Sequence, residues 1–86
     1  MTSTLVRATL VTAPDCQFCH HARQVLDRLG DTWLLRVREV AWQSPEGQAL
    51  VRRDGVAFPP ALYIEGALVG YGRLSEGRLR RTLERR

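Results

Sequence analysis

The only two cysteines of the chain stand together as Cys16-Gln17-Phe18-Cys19. Two intervening residues bring the thiols close enough for a disulfide across one helical turn. The pair sits where a predicted strand ends and a predicted helix begins. A thiol at a helix start meets unpaired backbone N–H groups and the positive end of the macrodipole. Both favour the thiolate, which is the attacking species in disulfide exchange. The chemistry implied is dithiol–disulfide redox chemistry. Of the two thiols, Cys16 is nearer the solvent, and Cys19 lies one turn in, under the helix.

The neighbours of Cys16 pull in opposite directions. The anion of Asp15 opposes thiolate formation, whereas the helix start, and His20 or His21 if protonated nearby, favours it. Phe18 either covers the disulfide with apolar surface or packs along the first helix. At least one of the two histidines, His21 ahead of His20, reads as solvent-exposed helix polarity.

Other chemistries fit less well. Cys16-Gln17-Phe18-Cys19-His20 has the spacing of c-type haem attachment. Such proteins mature outside the cytosol, no export signal is seen, and Met1 is the only methionine. Cys16, Cys19, His20 and His21 hold the sulfur and nitrogen inventory of a zinc site. Adjacent helical residues point about 100° apart, however, and no second ligand pair follows. A permanent structural disulfide gains little from so short a loop and is disfavoured in a reducing compartment. The expectation is no metal and no bound cofactor.

Eighty-six residues allow one small domain, taken as 1–86. The chain is 44% hydrophobic and 26% charged, so it folds rather than staying disordered. Met1-Thr2-Ser3-Thr4 and the short apolar run to Arg7 form neither a signal peptide nor a membrane span, which points to the cytoplasm. All thirteen basic residues are arginine, and the net charge is +4. Five arginines crowd the end, Arg78, Arg80, Arg81, Arg85 and Arg86. They read as a solvated helix face, because no stacking aromatics are interleaved as nucleic-acid binding needs. A monomer without nucleic-acid or membrane partners is expected.

The elements that position the cysteines read as β-α-β-α-β-β-α. Leu5 to Thr12 is an apolar, β-branched strand ended by Pro14-Asp15. A helix follows with Phe18, Ala22, Val25, Leu26 and Leu29 on one side, stopped by Gly30 as a C′ residue. Leu34 to Trp42 is a second strand, with Arg36 and Arg38 on one face and Val37 on the other. Trp33 and Trp42 pack in the core or at an edge. Ser44-Pro45-Glu46 opens a second helix that ends near Asp54-Gly55. Phe58-Pro59-Pro60 is an extended break. Ala61 to Glu65 and Leu68 to Tyr71 form a hairpin about Glu65-Gly66. Ser75 caps a last helix, with Leu74 and Leu79 as its hydrophobic staple and Leu79 and Leu83 facing the core. A βαβ unit plus a hairpin implies one mixed four-stranded sheet with helices on both faces.

This order, with Cys-X-X-Cys at the first strand-to-helix turn, resembles the thioredoxin fold and, in its short length and compact start, the glutaredoxin-like family. The resemblance spans nearly the whole chain, anchored at Cys16, Cys19, Pro60, Gly66 and Gly70. It implies a thiol–disulfide oxidoreductase with Cys16 as nucleophile and Cys19 as resolving thiol. It implies a cis-proline at Pro60, shaping a substrate groove with Pro59, lined by Phe58, Phe18 and Tyr71. The partners implied are a disulfide-containing protein or low-molecular-weight thiol, with electrons from an external thiol or reductase. A cluster shared between two chains would need an outside thiol. Some positions depart from the family pattern. No basic residue precedes the motif, since Thr12, Ala13, Pro14 and Asp15 stand there. Pro59 has no N–H to offer a substrate. Gly70-Tyr71-Gly72-Arg73 replaces the diglycine and acidic pair that hold glutathione. These departures count against glutathione, while Arg73 can pair with a carboxylate on another thiol or a protein.

Overall fold

The structure, a computed structural model, describes residues 4–86. Met1-Thr2-Ser3, the start read above as carrying no export signal, lies outside the described residues. The elements are β1 (Val6–Thr12), α1 (Gln17–Leu29), β2 (Leu35–Ala41), α2 (Pro45–Asp54), β3 (Ala61–Ile64), β4 (Ala67–Tyr71) and α3 (Glu76–Glu84). They form the expected mixed sheet in the order β2-β1-β3-β4. β1 and β2 are parallel, and β3 runs antiparallel to both β1 and β4.

Alternation along the strands divides the core in two. Val6, Ala8 and Leu10 of β1 join Leu62 and Ile64 of β3 beneath α1 and α3. Val11, Val40, Ala61 and Tyr63 face the other way and pack with Val51 of α2. Trp33 packs against the first cluster and Trp42 against the second. The sheet is thus covered on both faces, as a βαβ unit with a hairpin requires.

Local chemistry explains most boundaries. The Ser44 and Ser75 side chains accept from the N–H of the third residue of their helices, Gly47 and Arg78. Leu74 and Leu79 are both buried, which completes the staple at α3. Glu65 and Gly66 take φ of 48° and 83°, the left-handed pair of a two-residue hairpin turn. This ends β3 at Ile64, one residue before the sequence expectation, and starts β4 one residue early at Ala67.

Three expectations are corrected. Gly30 does end α1, but right-handed, with φ −64°, because its N–H still bonds to the Leu26 carbonyl and 3₁₀-type bonds from Asp31 to Arg28 and from Thr32 to Leu29 tighten the exit. Phe18 is not on the packed side of α1. It is 44% exposed, and Cys19 occupies the buried stripe with Ala22, Val25, Leu26 and Leu29. The terminal arginines are not uniformly solvated. Arg80 lies over the Trp33 ring, 5.7 Å from its centroid, and pairs with Glu76.

Gly47 is a tightly constrained position of α2. Ser44 N–H and Ser44 Oγ both donate to the Ala41 carbonyl, and Gly47 N–H donates to Ser44 Oγ at 3.0 Å. A Cβ on Gly47 would be driven into that carbonyl oxygen. Gly47→Ala is expected to destabilise by about 1–3 kcal/mol. A helical glycine without this contact would instead gain roughly 1 kcal/mol from the same change. The urea midpoint decides the sign.

Arg23 ties α1 to the edge strand with two bonds to Glu39, at 2.8 and 3.0 Å. These bonds hold the Glu39 carboxyl below its ordinary 4.5. A lowered native value adds stability that is full above the ordinary value and is lost as pH falls through the lowered one. Because the pair is about half exposed, Glu39→Gln should cost only about 0.5 kcal/mol at neutral pH. The gap between variant and parent should close in acid, read from urea unfolding at both pH values.

Candidate active site

The sheet register sets the two halves of the site. Val11 of β1 pairs with Ala61 of β3, so the next residues, Thr12 and Pro60, lie side by side at the same end of the sheet. From Thr12 the chain turns through Asp15, whose φ is 53°, and enters α1 at Cys16. Cys16 is the N-cap of α1, extended at φ −112° and ψ 108°. Its Sγ accepts the Cys19 N–H at 3.1 Å, in the place a serine or aspartate oxygen usually holds.

Cys16 and Cys19 are joined as a disulfide, with Cα atoms 5.2 Å apart. The two sulfurs are not equivalent. Cys16 is half-buried, whereas Cys19 is fully buried in the stripe that seats α1 on the sheet. The arrangement can open and close one disulfide with a single sulfur accessible. The Cys16 sulfur has an N–H donor and the helix N-terminus beside it, surroundings that favour a thiolate over a thiol.

Around Pro60 the other half is built by backbone constraint. The Pro59–Pro60 bond is cis, Pro60 is fully buried, and its carbonyl accepts Gly72 N–H at 2.7 Å. Phe58 and Tyr71 meet edge to face, centroids 5.4 Å apart, and remain 50% and 40% exposed. Sequence reasoning missed Gly72 as a determinant of this group. Its φ is 73°, and a Cβ there would stand 2.7 Å from the Phe58 ring. The signal was available as a glycine directly after the hairpin aromatic, but only the fold brings Phe58 across it.

Phe58, Pro59, Pro60 and Tyr71 are therefore gathered at one place, and Cys16 with Cys19 at the same end of the sheet. Phe18 stands exposed on the first turn of α1 and belongs to neither core cluster. Arg73 is exposed and makes no ion pair among the described residues. It borders a cleft of about 260 Å³ with Tyr71, Gly70 and Arg78. One histidine is exposed, as expected, but it is not the preferred His21. His20 is the exposed one, and His21 is half-buried with Nδ1 enclosed and unbonded. One turn into α1, position 21 already turns towards the packed side. Among the described residues no three His, Cys, Asp or Glu side chains converge as a metal site would need. No helix there is long and apolar enough to cross a membrane.

Solved structures of similar shape carry the same kind of sheet. A thioredoxin variant from Halobacterium salinarum is 25% identical, with a TM-score of 0.68 over 93% of this chain and 73% of its own. A thioredoxin from Thermus thermophilus is 24% identical, TM-score 0.61, over 93% of this chain and 72% of its own. Glutaredoxin 1 from Francisella tularensis, solved with cacodylate, is 11% identical, TM-score 0.60, over 93% and 94%. No curated protein sequence matches the chain. The glutaredoxin family profile matches residues 8–69, which is more than half the chain and runs from β1 through the Cys16–Cys19 turn and the Pro60 loop into β4. By that match, and by a fold that agrees with it, this chain belongs to the glutaredoxin family.

Proposed function

We propose that this protein is a thiol–disulfide oxidoreductase in which Cys16 attacks and Cys19 resolves. The observation that carries the reading is the asymmetric pair, one sulfur half-exposed at a helix N-cap and the other buried behind it. It works as a single glutaredoxin-like domain in a reducing, cytoplasmic setting.

In the reductive direction the Cys16 thiolate attacks one sulfur of a substrate disulfide. A mixed disulfide forms, and the first substrate sulfur leaves as a thiolate that takes up a proton. Cys19 then gives up its proton and attacks Cys16 Sγ. The second substrate thiol leaves, and the Cys16–Cys19 disulfide closes. The substrate has gained two electrons and two protons, and the protein has lost them. An external thiol or reductase returns them by the reverse exchanges. No bound cofactor takes part.

Substrate is proposed to lie against Pro59 and Pro60, between the Phe58–Tyr71 pair and Phe18, with Arg73 available to a carboxylate. Pro59 presents a carbonyl but no N–H, so a partner strand finds an acceptor there and no donor. This favours a protein disulfide, or a low-molecular-weight disulfide other than that of glutathione.

Cys16→Ser is expected to abolish exchange with a model disulfide. Cys19→Ser should instead accumulate mixed disulfides, seen as mass adducts on Cys16. A Cys16→Ser protein that exchanges at the parent rate overturns the assignment.

The rate should also rise with pH and level off above an apparent value lower than the roughly 8.5 of a free cysteine, following the Cys16 thiolate. Alkylation of the reduced protein by iodoacetamide over a pH series measures it. A midpoint at or above that of a free thiol contradicts the N-cap stabilisation.

A further inference from the structure

A second site is built at the other end of the sheet. Parallel register sets Arg7 of β1 directly beside Arg36 of β2, and Thr9 beside Arg38. Alternation from Val11 and Val40, which both pack towards α2, puts all four side chains on the α2 face. α2 covers only the far part of that face. The near part is left as a cleft of about 370 Å³, lined by these four residues with Glu65 and Gly66.

The charges in the cleft are unusual for a merely solvated surface. Like charges directly opposite on neighbouring strands weaken a sheet. Neither Arg7 nor Arg36 has a carboxylate partner among the described residues, and of the arginines without one only these two stand opposite each other on paired strands. Arg38 is held by Glu46, Nη1 to Oε1 at 2.9 Å. Glu65, the one acid on the rim, already accepts Arg7 N–H at 2.8 Å and stands 4.0 Å from Arg86.

We infer that this cleft binds a compact phosphoryl-bearing anion between the Arg7 and Arg36 guanidiniums, with Thr9 and Arg38 as further donors. Paired guanidinium forks match phosphate oxygens bidentately. The volume is that of a small-ligand site. An extended acidic polypeptide would need a longer stripe of cations than the three arginines that line this one cleft. The site opens at the start of β1, whereas Cys16 follows its end, about 17 Å further along the strand. The ligand is therefore not the disulfide partner, and this inference stands apart from the redox reading.

The test titrates the full chain with inorganic pyrophosphate at constant ionic strength, followed by amide shifts in ¹H–¹⁵N spectra. Saturable shifts are expected at Thr9, Arg36, Arg38 and Gly66, with Cys16 to Cys19 unmoved. Arg36→Gln should weaken the affinity at least tenfold. Its unliganded thermal midpoint should match or exceed the parent's, because the substitution removes a repulsion. A nucleoside diphosphate binding more tightly than pyrophosphate would assign the rest of the cleft to a base and sugar, and equal binding would assign the bare phosphoryl group. Shifts reproduced by sodium chloride alone, or centred on Arg78 to Arg86, overturn the proposal. So does unchanged affinity in Arg36→Gln, or preference for a polyglutamate peptide over pyrophosphate.

Discussion

β1 is bonded on both sides, and almost everything else takes its position from it. Its two faces seed the two halves of the core. Its register with β3 brings Pro60 beside Thr12, and its exit launches α1 at Cys16. The unequal burial of the two sulfurs follows from the same constraint. α1 must lie flat on the sheet through Ala22, Leu26 and Leu29, and Cys19 is the first residue of that stripe. Of the two cysteine sulfurs, only that of Cys16, at the cap, is left at the surface by this packing.

The charge architecture is made entirely of arginine, and this has structural consequences. Each helix is tied by an arginine–carboxylate pair, α1 to β2 through the forked Arg23–Glu39, α1 to α3 through Arg28 and a Glu76 carboxylate shared with Arg80, and α2 to β2 through the forked Arg38–Glu46. Flat guanidiniums also cover aromatic rings, Arg80 over Trp33 and Arg53 over Tyr63, both 5.7 Å from the centroid. A lysine would serve poorly in either role. Tyr63 illustrates the cost of such packing. Its hydroxyl is enclosed without a well-formed hydrogen bond, and burial, together with the facing Asp54 carboxylate, raises its pKa and so opposes its ionisation. Arg7 and Arg36, like Arg52, Arg73, Arg78, Arg81 and Arg85, have no carboxylate partner among the described residues, but of these they alone stand opposite each other on paired strands.

The order of elements, the two serine caps, the hairpin turn and the cysteine pair were legible in the sequence because each is a local matter. A cap needs one oxygen three residues from one N–H. A two-residue hairpin needs left-handed φ at both turn positions, and Glu65-Gly66 supplies it. What was not legible depends on how elements meet. Phe18 and Cys19 both fit an apolar helix face by spacing, and only the docking of α1 decides which is buried. His20 and His21 were exchanged for the same reason. Gly47 and Gly72 looked like ordinary glycines until the Ala41 carbonyl and the Phe58 ring were brought against them. Gly30 looked left-handed, and tightening of the helix end made that unnecessary.

The proposed substrate groove has an internal economy that bears on what it can select. Pro59 has no N–H, and the Pro60 carbonyl is already occupied by Gly72 N–H. Of the backbone groups of Pro59 and Pro60, only the Pro59 carbonyl is left to meet an extended partner. A groove that relied on strand-like pairing would be weak here. The side chains supply what the backbone lacks, since Phe58 and Tyr71 are held edge to face and half open while Gly72 keeps the Phe58 ring down on the chain. Such a pair offers apolar area at little further ordering cost, because the rings are fixed before a partner arrives. Discrimination among disulfides in this groove should then follow the apolar surface flanking the substrate sulfur, with Arg73 rewarding a nearby carboxylate, more than the partner's main-chain conformation.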